Sequence, residues 1–153
     1  MRLSSFIRDM PARVSAGAFI LNSGLGKLSA DEQTAIGLHQ MATGAYPFLG
    51  KMKPQDFARL LGAGEVAVGS ALLLPVVPAG VAGALLTGFS GGLLGLYIKI
   101  PGMRQEGSLR PTRQGIPLAK DSWLLGIGVS LLLSDLTDRV SSSGSSGSSR
   151  GES

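Results

Sequence analysis

Residues 56–98 read DFARLLGAGEVAVGSALLLPVVPAGVAGALLTGFSGGLLGLYI, and this stretch decides the fold. It divides at Pro75-Val76-Val77-Pro78 into two apolar segments. The second carries no charge, and the first carries only Glu65 after Arg59. A helix of about 20 apolar residues crosses the roughly 30 Å hydrocarbon core of a bilayer. Two such segments joined by a Pro-x-x-Pro corner predict a transmembrane helical hairpin with one carboxylate inside its first leg.

The bulk composition agrees with a lipid environment. Charged residues make up 16% of the 153-residue chain, and aromatics 5% against 23 glycines. Soluble domains average roughly 25% charged residues. Small aliphatic residues suit closely packed membrane helices. The chain has no cysteine, which excludes disulfides, thiol redox chemistry and thiolate-held metals. A net charge of +4, spread over loops without interleaved aromatics, makes nucleic acid a poor partner. Anionic lipid head groups are a better one.

Outward from the hairpin, Val14–Leu28 forms an earlier apolar segment with Asn22 and Lys27 inside it. Pro11 suits the first turn of a helix. Asp9 in the basic start and Lys27 where a cleavage site would fall argue for a retained first span, with Arg13 and Lys27 snorkelling at its ends. Ser29 and Glu32 have capping-box spacing before a short amphipathic helix over 30–45. That helix is expected at the membrane interface, with Tyr46 and Phe48 near the head groups. A Pro-, Gly- and Arg-rich loop fills 101–119. Residues 122–134 form a last short apolar segment with Trp123 as an interface anchor.

The expected fold is all-α: an integral membrane four-helix transmembrane bundle with an interfacial helix between spans one and two. Residues 1–10 are an N-terminal segment. The spans cover about 11–29, 56–74, 78–98 and 120–137, and residues 141–153 are a disordered Ser/Gly tail. Gly80, Ala84, Gly88 and Gly92 recur every four residues on the third span and are the expected helix-packing stripe. Ala63, Ala67 and Ala71 repeat the spacing on the second. Four spans place both termini and the 75–77 corner on one side. Most Lys and Arg surround the two long loops, yet Arg2, Arg8 and Arg13 precede the first span. The positive-inside rule therefore gives no orientation.

Glu65 is the sharpest chemical feature. A charge near mid-bilayer costs at least about 2.5 kcal/mol, so it faces the bundle interior and finds a partner. Lys27 approaches from the same membrane side, leaning inward as Glu65 leans back toward it. Asn22 stands nearby to add a hydrogen bond. Arg13, Gly17, Ile20, Gly24 and Lys27 share one face of the first span. Two readings stay open for Arg13, Asn22, Lys27 and Glu65: a polar ligand pocket between spans one and two, or a buried ion pair that fixes helix register. Neither catalytic residues nor metal ligands are expected, since the lone His39 has no companions.

In Arg13-x3-Gly17-x6-Gly24-x2-Lys27-Leu28 and Gly62-x2-Glu65-x3-Gly69-x2-Leu72-Leu73-Leu74 the chain resembles the DoxX-like family of small four-helix membrane proteins. The Gly-rich third span and shorter last one fit as well, over most of residues 11–136. The resemblance implies a four-helix bundle, with Arg13, Lys27 and Glu65 matching the family's polar set. One branch of the family is linked to thiosulfate:quinone oxidation, and many members have no assigned activity. The long 30–55 segment, the Arg-rich 103–119 loop and the tail depart from the family's pattern.

The functional expectation is a non-catalytic accessory or small-lipid- or quinone-binding subunit of a larger membrane complex, in the bacterial inner membrane. Its expected partners are membrane lipids and other membrane subunits, or a second copy. No cofactor resides in the chain itself beyond a bound quinone or lipid. The alternative is a membrane subunit of a quinone-linked oxidoreductase of the thiosulfate:quinone type.

Overall fold

Glycine decides how the helices pair. In the computed structural model, which describes residues 3–145 with side chains from 6 to 143, the chain forms α1 (Leu3–Leu28), α2 (Glu32–Ala45), α3 (Pro54–Leu73), α4 (Ala79–Lys99), α5 (Ile116–Ala119) and α6 (Asp121–Ser145). A short 3-10 turn, Pro47–Lys51, links α2 to α3. No strand occurs among the described residues, only an isolated bridge between Arg104 and Pro111. Among the described residues two helices are long and apolar enough to cross a membrane: Ala79–Lys99, and the continuous stretch Ile116–Ser143 that joins α5 to α6.

The main pairs are α1 with α3 and α4 with α6. Between α1 and α3, Gly24 faces Gly62 and Gly17 faces Gly69, so the helices run antiparallel. A Cβ on Gly24 would stand 2.7 Å from the Gly62 carbonyl oxygen, and one on Gly69 would stand 2.7 Å from the Leu21 amide nitrogen. Only hydrogen fits. Between α4 and α6 the same device uses Gly83 against Gly128, also antiparallel. A shared apolar core joins the pairs, with Ala16, Ile20, Val68, Leu72, Ala82, Leu86, Leu124 and Leu131 buried in it.

This pairing corrects the hairpin expectation. The corner lies between α3 and α4 as the prolines imply, but the two legs touch each other much less than they touch α1 and α6. It also corrects the packing stripe. Gly80 lies against the Asp135 side chain on α6, whereas Ala84, Gly88 and Gly92 face outward. Gly83, one residue out of the predicted register, makes the close approach. On α3, Ala63 and Ala67 likewise face outward, while Gly62 and Gly69 pack. Four-residue periodicity is carried by several faces of so Gly- and Ala-rich a helix, and spacing alone cannot choose among them.

The helix boundaries differ at both ends. α1 begins at Leu3 and carries Pro11 within it, because residues ahead of the proline have a partner. Arg8 hydrogen-bonds Ser134 and, at 3.2 Å, Asp138; Ser134 donates to the buried Asp9 carboxylate at 3.0 Å. This contact fastens the start of α1 to the end of α6. α6 continues through Ser145, so residues 141–145, expected as disordered tail, are helical. The remainder of that tail, 146–153, lies outside the described residues.

α2 packs on α3 and α4 through Ala35, Ala42 and Ala45 and leaves Ile36 and Met41 exposed. Its N-cap is Asp31, which accepts from the Thr34 amide at 2.8 Å, in place of the Ser29–Glu32 box. Ser29 instead donates to Leu25 at the end of α1. Phe48 is exposed, and Tyr46 is half-buried against α4. Its hydroxyl donates to the Gly92 carbonyl at 3.0 Å beside Gly95, and Lys99 lies over its ring at 4.5 Å. The tyrosine thus takes part of the glycine surface of α4.

Candidate functional site

Lys27 and Glu65 meet across the α1–α3 seam, Nζ to Oε2 at 2.9 Å. The glycine contact between residues 24 and 62 brings the two backbones close enough for this. Glu65 sits on the packed face of α3 and is 4% exposed. Lys27 reaches it from the last turn of α1 and also donates to Ser23 at 2.7 Å. The carboxylate is therefore charge-paired where it is least hydrated, the condition for holding it there at all.

Asn22 does not join them. It is exposed, and Ser23 takes the place expected for it. The reason is helical geometry: Ser23 is four residues before Lys27 and shares its face, whereas Asn22 is five before and turns away.

Arg13 lies on the same face of α1 but at its other end, about 21 Å along the axis from Lys27 at 1.5 Å per residue over 14 residues. It is 2% exposed. Its Nε donates to the Leu72 carbonyl at 2.8 Å, and its Nη2 is shared among the carbonyls of Ala71, Leu74 and Val77 at 3.0, 2.9 and 3.0 Å. Arg13 is the C-terminal cap of α3 and closes the proline corner. A cation there also opposes the negative end of the α3 dipole. It is not part of the Lys27–Glu65 cluster.

At Gly17, Gly24, Gly62 and Gly69 the α1–α3 seam is too close for an added Cβ. A cleft of about 570 Å³ opens instead between α1 and the start of α6. Ser15, Ala16 and Phe19 form one wall; Pro117, Lys120, Asp121, Trp123, Leu124 and Ile127 form the other. Its surface is predominantly apolar, with Phe19 and Trp123 exposed at the rim. Asp121 is half-buried on the cleft wall.

Asp121 opens α6, and its place at the cleft depends on α6 packing beside α1, which no local pattern in the sequence encodes. No group of three His, Asp or Glu suited to a metal occurs among the described residues. His39 donates its Nε2–H to the Leu49 carbonyl at 2.9 Å and packs edge-on to Phe57, a structural role.

The pair carries a prediction of its own. Lys27→Leu leaves Glu65 unpaired in the seam and is expected to cost about 2–3 kcal/mol, less than for a fully buried pair because the Lys27 side chain is 20% exposed. Glu65→Leu is expected to cost less, since the freed lysine can snorkel to water. Yields of folded protein on expression would show this as a lower level for Lys27→Leu; equal losses would contradict it.

No protein-family model, curated protein or solved structure matches the chain.

Proposed function

We propose that the chain is an integral membrane protein of the DoxX-like four-helix kind, working in a bacterial inner membrane as a non-catalytic accessory subunit that binds one small amphiphile. In this reading α1 and α3 cross the bilayer with α4 and α6, and α2 lies at the interface. The cleft between α1 and α6 is the observation that carries it. The cleft is apolar along its length and polar at one end, matching a lipid or quinone-like molecule with a tail and a head. Phe19 and Leu60, at 63% and 60% exposed, lie on the outer faces of α1 and α3, as lipid contact requires.

The geometry favours binding over turnover. Glu65 is held by Lys27 behind the glycine seam and does not line the cleft. A proton-handling role for this pair at a bound quinone therefore lacks direct access to the ligand.

Purified protein in mild detergent is expected to retain one amphiphile per chain, recovered by solvent extraction and identified by mass spectrometry. Leu124→Trp, which fills the cleft floor, is expected to lower that yield several-fold. Protein that retains no more amphiphile than its Leu124→Trp variant would overturn the reading.

A further inference from the structure

Lys120 and Asp121 are consecutive in sequence, opposite in charge, and both line the cleft. Neither side chain makes a salt bridge or hydrogen bond among the described residues. Lys27 and Glu65 neutralise each other at 2.9 Å, which leaves one negative and one positive group unspent at the mouth of an apolar cleft. Asp121 is a half-buried carboxylate on the cleft wall without an ion-pair partner, so a cation is a better occupant beside it than an anion.

We infer that the α1–α6 cleft takes a glycerophospholipid with a zwitterionic head, its ammonium on Asp121 and its phosphate on Lys120. This rests on the amphiphile-binding reading above and narrows it to one class of ligand. Adjacent residues at the start of one helix stand at nearly the same depth. They suit a head whose two charges lie side by side in the membrane plane rather than one above the other. A carboxylate–ammonium contact is charge-assisted and directional, while lysine serves phosphate as a point charge. Trp123 at the rim adds an aromatic face, which attracts ammonium groups and favours the head-group level. The acyl chain follows the apolar wall of Ala16, Leu124 and Ile127. An anionic lipid would match Lys120 but set its charge against Asp121, and a quinone ring has no charge for either.

The test is native mass spectrometry of the full chain released from detergent, titrated with phosphatidylethanolamine or phosphatidylglycerol of identical acyl chains. Phosphatidylethanolamine is expected to bind about tenfold tighter, which corresponds to about 1.4 kcal/mol. Asp121→Asn should bring it down to the phosphatidylglycerol level. Lys120→Gln, at an exposed position that folding tolerates, should weaken both lipids and leave their ratio above one. Equal affinity for the two lipids in the unaltered protein would overturn the head-group assignment while leaving the amphiphile site standing, as would a preference that survives Asp121→Asn. If neither lipid is retained above the Leu124→Trp level, the assignment and the amphiphile reading fall together.

Discussion

Arg13→Met is expected to destabilise the protein by about 3–5 kcal/mol. The helix α3 ends at Leu73, and its last carbonyls have no intrahelical donors. Arg13 supplies donors to the carbonyls of Ala71, Leu72, Leu74 and Val77 from a position 2% exposed. Methionine fills similar space and keeps helix propensity, so the loss isolates the hydrogen bonds. The Leu74 carbonyl keeps the Val77 amide as a donor, but those of Ala71, Leu72 and Val77 are left bare, at about 1–3 kcal/mol for each that is buried. Arg13→Lys keeps the charge but not the planar fork, and should recover less than half of the loss. Unfolding midpoints in a mixed-micelle denaturant series would measure both. A midpoint for Arg13→Met unchanged from the parent would mean that the corner closes without this cap.

Gly24→Val is expected to cost about 3 kcal/mol or more by forcing the α1–α3 pair apart. The added Cβ would meet the Gly62 carbonyl oxygen at 2.7 Å, the Glu65 Cβ at 2.8 Å and the Val66 amide nitrogen at 2.8 Å. Two of these three are backbone, which cannot swing aside, so the helices must separate; overpacking of this kind is at the upper end of its usual range. Separation also lengthens the Lys27–Glu65 contact that the seam makes possible. Gly26 provides the control two residues away, since nothing lies within 4 Å of a Cβ there. Gly26→Val should change stability by no more than about 0.5 kcal/mol. Folded monomer surviving a heat step, followed by size-exclusion chromatography, separates the two. Equal survival would show that close backbone approach is not what holds α1 to α3.

The helices themselves were legible in the sequence because apolar run length and proline position are local properties. The stretch 56–98 gives two helices and a corner, and α3 and α4 stand within a few residues of that reading. Lys27 and Glu65 could be matched from sequence because a lone carboxylate in an apolar helix needs a cation at its depth. Partner choice was less legible. Helices adjacent in the chain are not the closest pairs here, and a helix as rich in Gly and Ala as α4 offers several stripes of equal spacing. The register that packs, through Gly83, is decided by what α6 presents, namely Gly128 and Leu131.

The polar residues divided along the same line. Ser23 rather than Asn22 follows from counting four residues back from Lys27, a step available from sequence. Arg13 and Lys27 share a helix face in the sequence, but a shared face does not place two residues in one site when they are four turns apart. The role of Arg13 required knowing that the corner 74–78 returns to the start of α1. Asp121 required knowing that the last helix lies against the first.

In the proposed arrangement α3 and α4 cross a membrane with the 74–78 corner on one side and the α2 and 101–115 connections on the other. The absence of cysteine makes the test clean. Val76, Phe48 and Leu109 are 81%, 69% and 74% exposed, and each can be replaced singly by cysteine. The variants are then labelled with a membrane-impermeant maleimide in vesicles of known orientation. The account predicts that Val76→Cys labels from one side only, and Phe48→Cys and Leu109→Cys only from the other. Labelling of all three from the same side would contradict it.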